Sequence, residues 1–192
     1  MSIFGIVVES ERDAGVYSAL IPRIRSDVTQ VLRMPCGDVV QVRRRFVGWL
    51  KHFEWHSGYQ VDKAFVIRDS DRSAPEDAEA ELACILEGHG FRPTFPVHFY
   101  ATKCIVETLL LADERAVSAV ARQRGKDRSV QPIDQSLEDL TDAKPLFRRM
   151  LSQASLPDDP KVYEEIASVA SLDRIRERCP YFQEFDKRVH AC

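Results

Sequence analysis

The chain has 192 residues, 44% hydrophobic and 30% charged, a composition that excludes disordered, collagenous and low-complexity classes. At that length a single domain with a helical appendage can bury its own core without disulfides or a structural metal. The net charge of −3, from 27 Lys+Arg against 30 Asp+Glu, gives no global pull on nucleic acid, so any such binding must use a local patch or a bound cation. The five cysteines, Cys36, Cys84, Cys104, Cys179 and Cys192, form no C-x-x-C and suggest neither a disulfide framework nor a zinc site. Without a signal-like segment or an apolar run of about 20 residues, a reducing cytoplasmic setting is expected.

Residues 3–8 are a short, β-branched apolar run that reads as a strand covered on both faces, and it ends in charge at Glu9, Glu11 and Asp13. Val16, Leu20, Ile21 and Ile24 then fall at helical spacing, with Pro22 predicting a kink or stop. Residues 28–34 read as a second strand before the Pro35-Cys36-Gly37 turn. Asp38 is placed to cap a long helix that carries Val39, Val42, Phe46, Trp49, Leu50 and Phe53 inward and Arg43, Arg44 and Lys51 on the other side. Residues 64–67 make a third strand, stopping at Asp69-Ser70-Asp71. A helix opened by Ser73 or Pro75 runs to Glu87 and is closed by Gly88 and Gly90.

Residues 95–101 alternate as a fourth strand, and Thr102 is a candidate cap for one helix over residues 104–122. Beyond this point only helical periods occur. The alternation predicts an α/β fold, a mainly parallel sheet flanked by helices, with an all-helical C-terminal extension. The expected division is an α/β domain over residues 1–125, a polar linker over 126–136, and a helical extension over 137–192 packed on the first domain.

In an open parallel sheet, ligands bind outside the carboxyl ends of the strands. Two of the four predicted strands end there in acid, one in Glu9 and the other in Asp69 and Asp71. Residues two apart on an extended segment point the same way, so Asp69 and Asp71 share a direction, and Asp13 joins Glu9 if the intervening turn is helical. Two carboxylates about 5 Å apart repel by roughly 3 kcal/mol at an effective dielectric of about 20, so such a group must share protons, spread apart or hold a cation. Taken singly, each acid also suits a helix N-terminus. Taken together, oxygen ligands without His or Cys select Mg²⁺ or Mn²⁺, the ions of phosphodiester chemistry.

The segment Val7-Val8-Glu9-Ser10-Glu11-Arg12-Asp13 resembles the V-E-G-x-x-E opening of toprim domains, and Val66-Ile67-Arg68-Asp69-Ser70-Asp71 resembles their D-x-D strand. Glu107-Thr108-Leu109-Leu110-Leu111-Ala112-Asp113 and Cys179-Pro180-Tyr181-Phe182-Gln183-Glu184-Phe185 resemble the E-a-W-L-L-A-D helix and S-F-x-x-F ending of the domain-of-unknown-function 4276 (DUF4276) family. The resemblance implies a toprim-like fold and a Mg²⁺-dependent, nuclease-like hydrolase in which Glu9, Asp69 and Asp71 are metal-binding or acid–base residues and Asp13 is the second acid of the opening. It also implies a setting in bacterial anti-phage or mobile-element loci beside an ABC-type ATPase, whose non-catalytic regulatory subunit is the alternative role. Ser10 stands where the toprim motif has Gly, which a negative φ would accommodate.

Glu107, early in an apolar helix, suits either a salt bridge with Lys103 or a place near the metal; Asp113 suits the cap of a helix break. Arg43, Arg44 and Lys51 are candidate contacts to DNA or RNA phosphates. His52 and His56 bracket Glu54 in the order H-x-E-x-H, which is not the zinc-protease H-E-x-x-H and brings no third ligand. Asp69-Ser70-Asp71-Arg72-Ser73 also resembles a haloacid-dehalogenase opening, but the later Lys and paired Asp of that family have no counterpart in sight.

Overall fold

The computed structural model describes the whole chain except Ser57, Tyr59, Asp71, Arg72, Cys104, Asp134, Gln135, Glu138, Asp139, Thr141, Asp142 and Cys192. The first half alternates: β1 (Ser2–Val8), α1 (Glu11–Ile24), β2 (Val28–Pro35), α2 (Val39–Trp55), β3 (Lys63–Asp69), α3 (Pro75–Gly88) and β4 (Val97–Thr102). The second half is helical: α4 (Val106–Leu111), α5 (Glu114–Gln123), α6 (Ala143–Gln153), α7 (Pro160–Val169), α8 (Leu172–Arg178) and α9 (Pro180–His190). The four strands lie in the order β2-β1-β3-β4, and every pairing is parallel. Among the described residues no helix is long and apolar enough to cross a membrane.

The chain divides into two compact units, Met1–Ala14 with Ile21–Lys103, and Gly15–Leu20 with Cys104–Cys192. Helices α4 and α5, grouped with the sheet in the sequence reading, belong to the second unit. So does the segment expected to be a linker: Val130 is buried, and its N–H donates to Ser118 Oγ at 3.1 Å.

In the first unit, Val7, Ala64 and Val66 of the sheet pack against Val42, Phe46, Leu50 and Phe53 of α2 and Leu82 of α3. Each of the larger side chains, Ala64 aside, contributes roughly 1.5–3 kcal/mol by leaving water. The α2 helix lies so close to β1 that a Cβ on Gly5 would sit 2.5 Å from the Phe53 ring. On the other side of the same strands Phe4 and Phe65 stand 6.1 Å apart, with the buried Lys63 ammonium 5.3 and 5.9 Å from their ring centres. His98 stacks on Phe65 at 5.2 Å.

Two local expectations are corrected and a third is met. Pro22 does not end α1: the helix runs on to Ile24, and Arg25 N–H donates to Ile21 C=O at 2.9 Å. Burial of Ile21 and Ile24 holds this last turn although Pro22 offers no donor. Thr102 caps no helix; it ends β4, and its carbonyl accepts from Ser70 N–H at 2.8 Å. Within the stretch 104–122 the break expected at Asp113 is present: α4 ends at Leu111 and Asp113 caps α5, its side chain accepting from Arg115 N–H at 3.3 Å.

The second unit is organised around buried charge. Arg174 reaches Asp113 Oδ1 at 3.2 Å and both carboxylate oxygens of Glu114 at 2.9 Å. Arg178 adds a contact to Glu114 at 3.5 Å and donates to the carbonyls of Ala112 and Ile133. Aromatic pairs fill the rest: Tyr17 with Phe185, and Phe147 with Tyr163, each at 5.0 Å.

Candidate functional site

The strand order puts a reversal beside β1: the chain leaves β1 for β2 on one side, then returns to lay β3 on the other. At such a switch point the connections diverge and leave a crevice at the carboxyl ends of the two strands. Glu9 follows the end of β1 and Asp69 is the last residue of β3. The two meet there, because Glu9 Oε1 accepts from the Asp69 backbone N–H at 2.8 Å across a sequence separation of 60. Both residues are half-buried.

Local chemistry holds this rim. Ser10 has φ −131° and ψ 167°, extended backbone that any residue adopts, so serine carries no strain at this turn. Its hydroxyl accepts from Asp13 N–H at 3.2 Å, while Asp13 Oδ2 accepts from Ser10 N–H at 2.9 Å and Ser10 Oγ at 2.7 Å. This is a reciprocal capping box at the start of α1. Gly37, at φ +116°, turns the chain so that its N–H donates to Glu9 C=O at 2.6 Å, a conformation that needs glycine.

Arg68, one residue before Asp69 and 2% exposed, donates from Nε to the Asp69 carbonyl at 3.1 Å and from Nη1 to Glu81 of α3 at 2.8 Å. It is a positioning residue for the end of β3 that the sequence reading passed over; the signal was a lone cation closing an apolar strand. Beside it, the Ser70 hydroxyl is fully buried and meets no partner among the described residues, the kind of orphan that an ordered water or ion relieves.

The other candidates are spread more widely. Asp71 lies outside the described residues. Glu107 sits in the second unit, buried, with Tyr163 Oη 3.4 Å from its Oε1. The expected helical pairing with Lys103 does not arise, since α4 begins only at Val106 and Lys103 is not on it. Arg43 turns to Glu81 at 3.2 Å, joining Arg68 on the same carboxylate, whereas Arg44 and Lys51 face outward on α2, lining a shallow groove. His52 and His56 stack with parallel rings 6.0 Å apart.

Burial pushes the Cys36 thiol up, against the opposing pull of the Arg45 charge. Next to the rim, it is a poor thiolate nucleophile. A cavity of about 440 Å³ opens at the other end of the sheet. Its acids hold loops: Glu54 accepts from the Thr94 N–H and hydroxyl, and Asp62 from Ile3 N–H.

Among the described residues no group of three or more His, Cys, Asp or Glu stands ready to hold a metal ion. Among the described residues the rim offers two carboxylate residues, Glu9 and Asp69. That donor set fits Mg²⁺ or Mn²⁺, because Mg²⁺ keeps several waters and takes one or two carboxylates in place of a full protein cage. It does not fit zinc, which wants four close N, S or O ligands.

No protein-family model and no curated protein sequence matches the chain. Two solved structures of the C-terminal region of the Xanthomonas campestris pv. campestris OLD protein are similar to it. The one phased with iodine has a TM-score of 0.48 at 13% identity over 99% of this chain and 98% of that chain, and the one phased with mercury 0.46 at 12% over 100% and 99%. The C-terminal region of the Burkholderia pseudomallei OLD protein has a TM-score of 0.43 at 13% identity, over 97% of this chain and 99% of that one.

Proposed function

We propose that this chain is a divalent-metal-dependent phosphodiester hydrolase acting on nucleic acid, with Glu9 and Asp69, joined by Asp71, as the residues that hold Mg²⁺ or Mn²⁺. The contact of Glu9 Oε1 with Asp69 N–H at 2.8 Å supports the reading: Glu9 matches the acid of the toprim opening and Asp69 the first acid of the D-x-D motif, and these two residues meet at the switch point of the sheet. When bound, the ion supplies charge to a phosphoryl oxygen and lowers the pKa of a water. The protein's own part is to fix the carboxylates. Arg68 and Glu81 anchor the end of β3, and the capping box of Ser10 and Asp13 sets the path of the chain after Glu9. One rim carboxylate serves as general base. Asp13 and Glu107 lie outside the ligand set proposed here, the first because it closes the cap and the second because it packs with Tyr163 in the helical unit.

The site is tested by melting the protein with millimolar Mn²⁺ or Mg²⁺ and by incubating it with labelled DNA and RNA. Saturation at a hundredfold over Kd adds about 2.7 kcal/mol of stability, and Asp69→Asn and Glu9→Gln are expected to remove that gain. Asp69→Asn keeps the backbone N–H that Glu9 accepts, so the loss reports the carboxylate and not a broken contact. The same variant should lower the cleavage rate a hundredfold or more, by the scale of a lost transition-state contact, about 2.7 kcal/mol. Melting indifferent to both ions, without cleavage, would overturn the hydrolase and leave the non-catalytic partner subunit of an ABC-type ATPase, whose role in phage or mobile-element defence would then be regulatory.

A further inference from the structure

The outward side of α2 carries a second surface. Its residues fall into two adjacent rows at helical spacing, Arg45-Trp49-His52-His56 and Arg44-Gly48-Lys51-Trp55. Together these line an open groove of about 570 Å³ that includes no carboxylate among the described residues. The rows span roughly 16 Å at 1.5 Å per residue, a few nucleotides in length.

Four observations say what fits this groove. Among the described residues no acid forms an ion pair with Arg44, Arg45 or Lys51, whereas the neighbouring Arg43 is taken by Glu81. The groove is therefore a local positive field on a chain whose net charge is −3, complementary to a polyanion. Trp55 is 62% exposed and held in orientation by an edge contact to Phe91 at 5.5 Å, and Lys51 lies 5.6 Å over the same Phe91 ring. Trp49, His52 and His56 form a ladder of rings, at 5.8 and 6.0 Å. Gly48 interrupts the helix surface where a Cβ would meet nothing within 4 Å; no packing demands this glycine, and it costs the helix about 1 kcal/mol relative to alanine. It leaves the floor of the groove flat.

Cations interleaved with exposed aromatic faces bind a backbone and its unstacked bases at once, which a duplex does not offer. We infer that this face of α2 is a docking strip for single-stranded nucleic acid, with Arg44, Arg45 and Lys51 on the phosphates and Trp55 as the base-stacking platform. The inference rests on the nucleic-acid reading of the rim for the identity of the occupant, but docking needs neither the metal nor hydrolysis.

Both tryptophans of the chain, Trp49 and Trp55, lie on the strip, so intrinsic fluorescence reports it directly. Oligo(dT) and oligo(rU) are titrated into the full chain in EDTA at low salt, with each strand labelled for a parallel anisotropy measurement. The expected result is quenching with saturable binding; the arm that binds more tightly identifies DNA or RNA as the preferred strand. Trp55→Ala should weaken binding about tenfold, the scale of one lost stacked base, and Trp55→Phe should restore most of it. Arg44→Ala with Arg45→Ala should lower the slope of log K against log salt by roughly 1.4, at about 0.7 per single-strand phosphate contact. Absence of binding by the wild type, binding that these variants leave unchanged, or tighter binding of a duplex would overturn the strip. Because the titration contains no metal, strand binding without any cleavage in Mn²⁺ removes the hydrolase and keeps the strip, and cleavage unaffected by the variants does the reverse.

Discussion

The chain places two pairs of carboxylate residues at the ends of elements, and treats them in opposite ways. In the helical unit Asp113 and Glu114 are 4–5% exposed and are met by Arg174, with Arg178 at the rim of the cluster. At the edge of the sheet Glu9 and Asp69 are half-buried, and the contact that joins them is a peptide N–H. A buried acid answered by a guanidinium is spent on architecture, since removing either partner strands a charge in a poor solvent. At the half-open sheet edge one oxygen of Glu9 takes its direction from a backbone N–H 60 residues away, so its place follows from how β1 and β3 lie side by side. Position in the fold, and not acidity, separates a structural acid from a candidate ligand.

The contrast can be broken most severely in the helical unit. Glu114→Ala leaves Arg174 and Arg178 without their shared acceptor and should cost about 3 kcal/mol in urea denaturation, the lower end for a broken buried pair because Arg174 is a quarter exposed. Glu9→Gln, by comparison, should leave metal-free stability nearly intact and show itself only when Mn²⁺ is added. Equal losses from the two substitutions in the absence of metal would erase the distinction.

Asp13 sharpens the comparison at smaller scale. If its role is the capping box, Asp13→Ala lowers stability by about 1 kcal/mol while the melting gain with Mn²⁺ persists. Disappearance of that gain would return Asp13 to the ligand set.

The smallest effect lies far from either pair. Asp27 accepts from Arg25 Nε and Nη2 and from Ser2 Oγ, which together pull its carboxyl from 3.8 down to about 2. A carboxyl that is more acidic folded than unfolded stabilises the protein above its unfolded value, and the contribution fades as pH falls through the folded one. Stability curves of the wild type and Asp27→Asn should therefore run parallel above about pH 5 and converge between about pH 4 and 2. Curves that stay parallel through that interval would show the carboxyl to be unshifted.

Much of the sheet unit was legible because its signals are local. Apolar β-branched runs marked the strands, Asp38 marked the start of α2, where it accepts from Gln41 N–H at 2.8 Å, and Asp113 marked the break between α4 and α5. The rim was legible as a list of acids and not as a site: the Glu9 contact joins residues 60 apart, and no spacing rule anticipates it. Trp49, counted with the inward residues of α2, packs against the core as expected but is only half-buried, and it also borders the groove. Reading the helix as rows four and three apart, instead of as one apolar stripe, would have aligned it with Arg45, His52 and His56.

The sequence by itself determined the element types, the caps at Asp38 and Asp113 and the presence of acid after the first and third strands, because periodicity and capping act over a few residues. Tertiary structure decided the rest: that β3 lies beside β1, that Arg43 and Arg68 share Glu81 while Arg44 does not, and that Arg174 seeks Asp113 and Glu114. Those pairings depend on which surfaces meet after the chain has crossed the sheet, and the free energy of meeting comes from burial and charge neutralisation between residues tens of positions apart.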